Sequence, residues 1–440
     1  MDPVDGLQGR AAAAGGSEEG GIGSRRGACR ALARQDDVTA RGRGSVPMMA
    51  LCWHGKRAVR YERVDDPAIE HPRDAIVKVT LCGIGGADLH LYDAAMPGLK
   101  DGAIPGREFM GEVVEVGRDV DAARLRVGDR VAVPFAIACG ECRACRRGDY
   151  AVCDASNPNR AFVQRVYGRG TGALFGGGHL AGGYPGGHAE YVRVPYADVG
   201  PIKIPDEIDD ERALPLGDAL PAGWQAAVQC EIRPNETVAV WGAGPVGLYA
   251  MLAARVLGAG HVIAIDCVPA RLERARMLGA TPIDFTRLSV ADTLADHTHG
   301  RGPDKCIDAV GLGAHAVGAI DAPLDRFDET SAPGVDSPHV LREAIYACRP
   351  GGIVSVAGLY GGLVDSVPVG ALVNKALTLR AAQAHVQRWS RDLLTRIANG
   401  QIDPSFVVTH RARLEDGPQL YETSRSRADG CIKAVMRPGD

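Results

Sequence analysis

The sequence predicts an α/β fold in two parts, a β-rich region followed by a doubly wound parallel sheet covered by helices, and three observations carry that expectation. From Leu51 to about Leu214 apolar residues fall in short runs broken by Gly, Pro and Asp, without long amphipathic helices. Beyond Leu214 the rhythm changes to strands alternating with helical stretches, as in a parallel sheet with both faces covered. The clearest unit is a strand, a glycine-rich turn, a helix and a second strand between Thr237 and Asp266.

Taken in order, residues 1–47 hold Ala11 to Ala14, paired glycines and Arg41-Gly42-Arg43-Gly44, with few large apolar side chains. Such a segment cannot bury enough surface to offset the entropy of ordering and is expected to be a disordered extension. Glu18, Glu19, Asp36 and Asp37 weigh against a transit peptide. Globular sequence starts at Met48-Met49-Ala50-Leu51, so either methionine is a candidate translation start. Ile76-Val77-Lys78-Val79 and Glu112-Val113-Val114-Glu115-Val116 are strands of a first domain expected over 48–215. The parallel sheet is expected over 216–376, with strands at Thr237–Trp241, His261–Asp266, Cys306–Val310 and Gly352–Val356. A polar stretch at about 324–338 reads as an inserted loop, and 377–440 returns to mixed pieces that complete the first domain.

The 440 residues carry a net charge of -4, with 45 % hydrophobic and 24 % charged residues, which suits two or three soluble domains. A near-neutral balance without a Lys/Arg block argues against nucleic-acid binding. No run approaches the roughly 18 apolar residues of a membrane span, and the start lacks the apolar core of a signal peptide, so a cytoplasmic location is expected.

Four of the 12 cysteines, Cys139, Cys142, Cys145 and Cys153, fall within fifteen residues, and the other eight are scattered. In a large chain of this type the cluster argues for metal rather than disulfides. Four thiolates suit tetrahedral zinc, and a saturated shell makes the site structural. Arg143, Arg146 and Arg147 would offset its charge.

The turn Gly242-Ala243-Gly244-Pro245-Val246-Gly247 has a physical task at each glycine. Gly242 permits the tight turn, Gly244 lets backbone approach a pyrophosphate, and Gly247 allows helix to pack on strand. Pro245 and Val246 open the helix, whose N-terminus offers N–H groups to phosphates. Asp266 can accept hydrogen bonds from ribose hydroxyls and would repel a 2′-phosphate, so NAD is expected over NADP. Arg271 is the nearest later cation, placed to stack on adenine or pair with Asp266.

Further segments complete a pattern: Cys82-Gly83-Ile84-Gly85-Gly86-Ala87-Asp88-Leu89-His90, Pro105-Gly106-Arg107-Glu108-Phe109-Met110-Gly111-Glu112, Gly128-Asp129-Arg130-Val131, Gly186-Gly187-His188-Ala189-Glu190-Tyr191-Val192 and Leu216-Gly217-Asp218-Ala219-Leu220-Pro221. With the cysteine lobe and the nucleotide fingerprint, the chain from about Met49 to Pro438 resembles the zinc-containing medium-chain alcohol dehydrogenases, and most closely their glutathione-independent formaldehyde dehydrogenase branch. The resemblance implies a GroES-like β-rich catalytic domain with an inserted Rossmann domain, NAD, and assembly as a homo-dimer or homo-tetramer. It also implies a second, catalytic zinc held by a Cys, a His and an Asp. In this sequence those positions are Gly85, Arg107 and Asp218, so one ligand of three remains. The relay hydroxyl position is Ala87, while the relay histidine is present as His90.

Glycine has no ligand atom and a guanidinium no free lone pair, so a catalytic zinc is expected to be absent. Arg107 is expected to stand in its place, paired with Asp218 or Glu108. Three functions follow as expectations. One is NAD(H)-dependent hydride transfer on a small alcohol or aldehyde with altered chemistry; another is a zinc-free carbonyl or enone reductase using Arg107 as electrophile and His90 for the proton. The third is a non-catalytic NAD-binding protein. His179 and His188, in glycine-rich segments, are expected to be loop residues.

Overall fold

The computed structural model describes residues 47–94, 98–311, 335–336, 338–364 and 366–439. The expected extension, all but its last residue, lies outside the described residues. So does the expected inserted loop, apart from Pro338 and the two-residue strand Val335–Asp336, which pairs with Leu363–Val364.

The β-rich part is built on a seven-stranded sheet, and its central strand, Ala75–Ile84, is buried along nearly its whole length. That strand pairs with Glu108–Val116 on one side and with Lys433–Arg437 and Tyr191–Val194 on the other. In its middle the strand alternates, with Val77, Val79 and Leu81 buried while Lys78 is exposed and Thr80 part-exposed, and from Leu81 to Ile84 every residue is buried. Its end carries the loop and short helix Gly86–Tyr92, and the strand beside it begins at Glu108, immediately after Arg107.

The second sheet has six parallel strands in the order Thr281–Asp284, His261–Asp266, Thr237–Trp241, Lys305–Asp308, Ile353–Val356, Thr378–Ala381. Numbered within the sheet this is 3-2-1-4-5-6, the order of two mononucleotide-binding halves, with a crevice where the order reverses. The sixth strand, Thr378–Ala381, lies beyond residue 376, where the sequence places the end of this domain. One buried cluster holds Leu81 and Met110 of the first sheet together with Val238 and Val240 of the second and Leu248 and Met251 of the helix Pro245–Val256 that covers it. Among the described residues no helix is long and apolar enough to cross a membrane.

Candidate active site and metal centre

The glycine-rich turn forms as its composition dictates. Gly242 sits at φ +88°, a conformation that L side chains avoid, and a Cβ on Gly247 would lie 1.8 Å from the Gly242 carbonyl oxygen. The helix Pro245–Val256 starts there, with Gly244 as its N-cap. Asp266, at the end of His261–Asp266, accepts hydrogen bonds from the amides of Ala243 (2.7 Å), Cys267 (2.7 Å) and Val268 (2.9 Å). Three of the roughly four acceptor positions of the carboxylate are therefore engaged, one by the glycine-rich turn and two by the backbone that follows Asp266. Arg271 approaches Asp266 to 3.8 Å.

A continuous cleft of about 1440 Å³ runs from this turn to the end of the first sheet; Gly242, Gly244, Pro245, Val246, Asp266 and Arg271 line one end, His90, Arg107, Phe135 and Asp218 the other. Gly247 lies beneath, packed on the turn rather than on the cleft wall. The four residues at the far end come from separate segments that only the fold brings together: the helix after the central strand, the start of the next strand, the loop after Arg130–Val133, and the turn into Ala219–Gln229.

Arg107 is 7 % exposed. Its guanidinium lies over the Phe135 ring at 4.1 Å, its Nε is 3.9 Å from Asp218 Oδ2, and Nη2 donates to Gln383 Oε1 at 3.4 Å. The expected partnership with Asp218 is an ion pair without a hydrogen bond, and Arg107 Nε has no hydrogen-bond partner. Burial pushes the Asp218 carboxyl up to about 6, against the opposing pull of Arg107.

The alternative partner expected for Arg107, Glu108, is engaged elsewhere. Its carboxylate forms a buried ion pair with Lys433, accepts from the amide of Ala219 at 3.4 Å, and does not line the cleft. Burial works against the charge on Lys433, but Glu108 overrides it and holds the ammonium above the usual lysine range. Asp88, equally buried, accepts from the amides of Gly85 (2.8 Å) and Gly106 (3.1 Å) and so ties together the two segments that carry Gly85 and Arg107. His188 is not a loop residue of the expected kind. It is fully buried, donating from Nε2 to the Gly83 carbonyl (3.2 Å) and accepting at Nδ1 from the Tyr421 hydroxyl (2.9 Å), while burial keeps its pKa below the usual range. The partnerships of His188 and of Glu108 were hidden from sequence reasoning, because their partners lie more than a hundred residues away.

The cysteine lobe is separate from the cleft. The four Sγ atoms of Cys139, Cys142, Cys145 and Cys153 all lie within 4.8 Å of one another, with closest pairs at 3.9 and 4.0 Å. A tetrahedron with Zn–S near 2.3 Å has an edge of roughly 3.8 Å, so the cluster fits zinc. Backbone amides of Glu141, Cys142, Cys145, Asp154 and Ala155 point at these sulfurs from 3.3 to 3.5 Å, as thiolates require. Arg143, Arg146 and Arg147 are solvent-exposed around it. Arg73 ties the lobe to the sheet, donating to Glu141, the Cys139 carbonyl and Asp198.

Comparison with known proteins gives the same answer along the chain. Residues 71–206 match the alcohol dehydrogenase GroES-like domain, and residues 245–321 the zinc-binding dehydrogenase domain. A zinc-type alcohol dehydrogenase-like protein of Schizosaccharomyces pombe is 37 % identical over 388 residues, covering 88 % of this chain and 90 % of its own. The chain belongs to the zinc-type alcohol dehydrogenase family.

A glutathione-independent formaldehyde dehydrogenase of Pseudomonas aeruginosa is 32 % identical over 376 residues, covering 82 % of this chain and 90 % of its own. Among solved structures, an alcohol dehydrogenase from Thermus sp. ATN1 superposes with a TM-score of 0.74 at 34 % identity, covering 89 % of this chain and 100 % of its own. The protein is thus an oxidoreductase of the alcohol dehydrogenase type, with the GroES-like and Rossmann architecture of these dehydrogenases. Its cleft differs from a zinc-type site in donor chemistry: Gly85, Arg107 and Asp218 offer a single ligand side chain among them, with a fixed cation beside it. That set does not fit a catalytic zinc.

Proposed function

We propose that this dehydrogenase is NAD(H)-dependent, carries one structural zinc on Cys139, Cys142, Cys145 and Cys153, holds no catalytic zinc, and reduces small activated carbonyl compounds far better than it oxidises alcohols. The observation that carries the reading is a buried guanidinium, Arg107, beside Asp218 in the same cleft as the dinucleotide fingerprint. When bound, the reduced dinucleotide supplies a hydride; Gly242, Gly244, Pro245 and Val246 would hold its pyrophosphate, with Gly247 supporting their turn from beneath, and Asp266 its ribose.

The protein's own part is orientation and charge. Arg107, fixed by Phe135, Asp218 and Gln383, donates to a carbonyl oxygen and stabilises the negative charge that grows there as the carbon is reduced. His90, on the cleft wall, exchanges the proton with solvent. Deprotonating an alcohol is another matter. A metal contributes several kcal/mol to that step, and losing about 4 kcal/mol slows it roughly a thousandfold. The outer edge of Thr378–Ala381, unpaired among the described residues, with Leu379, Val369 and Val373 exposed nearby, supports assembly as a homo-dimer or homo-tetramer.

Metal analysis joined to turnover tests the reading: about one zinc per chain, NADH-dependent reduction of aldehydes or ketones, and alcohol oxidation slower by at least two orders of magnitude are expected. Two zincs per chain with ordinary alcohol turnover would overturn it. NADH should bind more tightly than NADPH, and Asp266→Ala should narrow the gap, since Arg271, Arg287 and Arg427 line that end of the cleft.

A further inference from the structure

We infer that the carbonyl compound this cleft takes has a second, uncharged oxygen acceptor on the adjacent carbon, as in a 1,2-diketone. The inference rests on Arg107 standing where a catalytic metal would be, and extends that reading to a substrate class.

The shape of the donor calls for two acceptors. A guanidinium is a rigid plane with five N–H groups, and two of them in parallel fit two neighbouring in-plane acceptors. Here the plane is fixed by Phe135 at 4.1 Å and by Asp218 at 3.9 Å, and among the described residues its one hydrogen bond is that of Nη2 to Gln383. Gln383 is itself anchored: Gln225 donates to its carbonyl at 3.3 Å and accepts from the amide of His385 at 2.9 Å. The fork is therefore held ready, with donors left for a ligand, and a simple ketone would use only one of them.

Charge bears on the substrate too. Asp218 faces Arg107, Glu108 faces Lys433, and Asp88 is satisfied by two amides. Arg425, which also lines this end, faces Asp93, so among the described residues no Arg or Lys is left unpaired here to draw in a carboxylate, and a 2-oxo acid would bring its charge up against Asp218. An uncharged second carbonyl supplies the acceptor without that repulsion. Space and reactivity agree. Ile84, Gly85, Ala87, Ala219 and Ala222 line this part of the cleft, and a Cβ on Gly85 would meet nothing nearer than Asp88 Oδ2 at 3.4 Å. Short alkyl groups fit beside walls so small. Without a metal to polarise it, the reacting carbonyl gains from an electron-withdrawing neighbour.

In the reaction one C=O π bond breaks. Its carbon gains the hydride given up by NADH, its oxygen gains a proton drawn from solvent, and diketone, NADH and H⁺ become hydroxyketone and NAD⁺. The ketone is reduced by two electrons and the dinucleotide oxidised by two.

The test compares 2,3-butanedione, 2-butanone and pyruvate with NADH, in the unmodified enzyme and in Arg107→Lys. A diketone is intrinsically the more reactive, so the deciding quantity is the ratio of kcat/KM for butanedione to that for butanone. Lysine keeps the charge and removes the fork, and should lower that ratio at least about tenfold, the worth of one charge-assisted hydrogen bond. A ratio unchanged by Arg107→Lys, or a preference for pyruvate, would overturn the inference while leaving carbonyl reduction standing; no turnover of any of the three would overturn both. A binding measurement on the unmodified enzyme needs no variant. Oxamide, a planar dicarbonyl that is not reduced, should bind the enzyme–NADH complex at least about tenfold more tightly than acetamide or oxamate, read from NADH fluorescence. Equal binding of oxamide and acetamide, or tighter binding of oxamate, would count against the fork.

Discussion

At the scale of single residues the cleft depends on a carboxylate kept at a cost. Asp218 titrates near 6 because burial outweighs the attraction of Arg107, whereas in the unfolded chain it would titrate near the ordinary 3.8. A folded-state pKa raised in this way makes protonation favour folding. Its contribution is full below about pH 4 and is lost as pH rises through about 6. Asp218→Asn should therefore raise the thermal unfolding midpoint at pH 7.5 and leave it nearly unchanged at pH 4; a variant less stable than the parent at pH 7.5 would contradict this account. The retention of so costly a charge fits a role in fixing Arg107. That Gly85 and Arg107 offer no ligand atom to a metal is legible in the sequence itself. The partners are not. Arg107 and Glu108 are adjacent yet go to different places, one to Phe135, Asp218 and Gln383, the other to Lys433, and no local pattern encodes that choice.

Among elements, the glycine-rich turn and the cysteine lobe were the most legible, because each is a local structure whose chemistry is complete within some thirty residues. The strand before the turn is apolar, the turn is glycine, and Asp266 closes the unit by accepting three amides. A methyl group on Gly247 would collide with the Gly242 carbonyl, which is backbone and cannot swing aside as a flexible side chain would. Gly247→Ala should thus cost about 1–3 kcal/mol of stability. It should also weaken NADH binding at least about tenfold by displacing the turn, measured by denaturant unfolding and fluorescence titration. Wild-type affinity in that variant would show that the turn tolerates displacement. Less legible was the sixth parallel strand, Thr378–Ala381, whose residues are largely exposed and lack the apolar run that marks its neighbours. As an edge strand it packs on few residues, so its place in the sheet is set by its pairing with Ile353–Val356 rather than by hydrophobic pattern.

Across the whole set of described residues the two sheets share one buried cluster, with Leu81 and Met110 packed among Val238, Val240 and Leu248. A ligand lodged in the cleft should then stabilise both together. At a hundred times its Kd, NADH adds about 2.7 kcal/mol, so heating should show one transition that moves upward as a unit by a few degrees. Two transitions, with only one moved by NADH, would contradict a common core. The composition indicated the two folding patterns but not this sharing, since a residue such as Leu81 is equally apolar whichever sheet it faces.

The central strand of the first sheet has a further consequence. Ala75–Ile84 is flanked by Lys433–Arg437, and Cys82 meets Met436 across 354 residues of sequence. On the ribosome, that flank of an early apolar strand stays open while all six parallel strands are made, since the last of them ends at Ala381. The parallel sheet has every strand it needs before the first sheet can close. Synthesis order thus makes the inserted domain the earlier of the two able to finish, and leaves a strand edge for chaperones to guard during elongation. The buried Glu108–Lys433 pair, joining one of the early strands to the last, forms only when that wait is over.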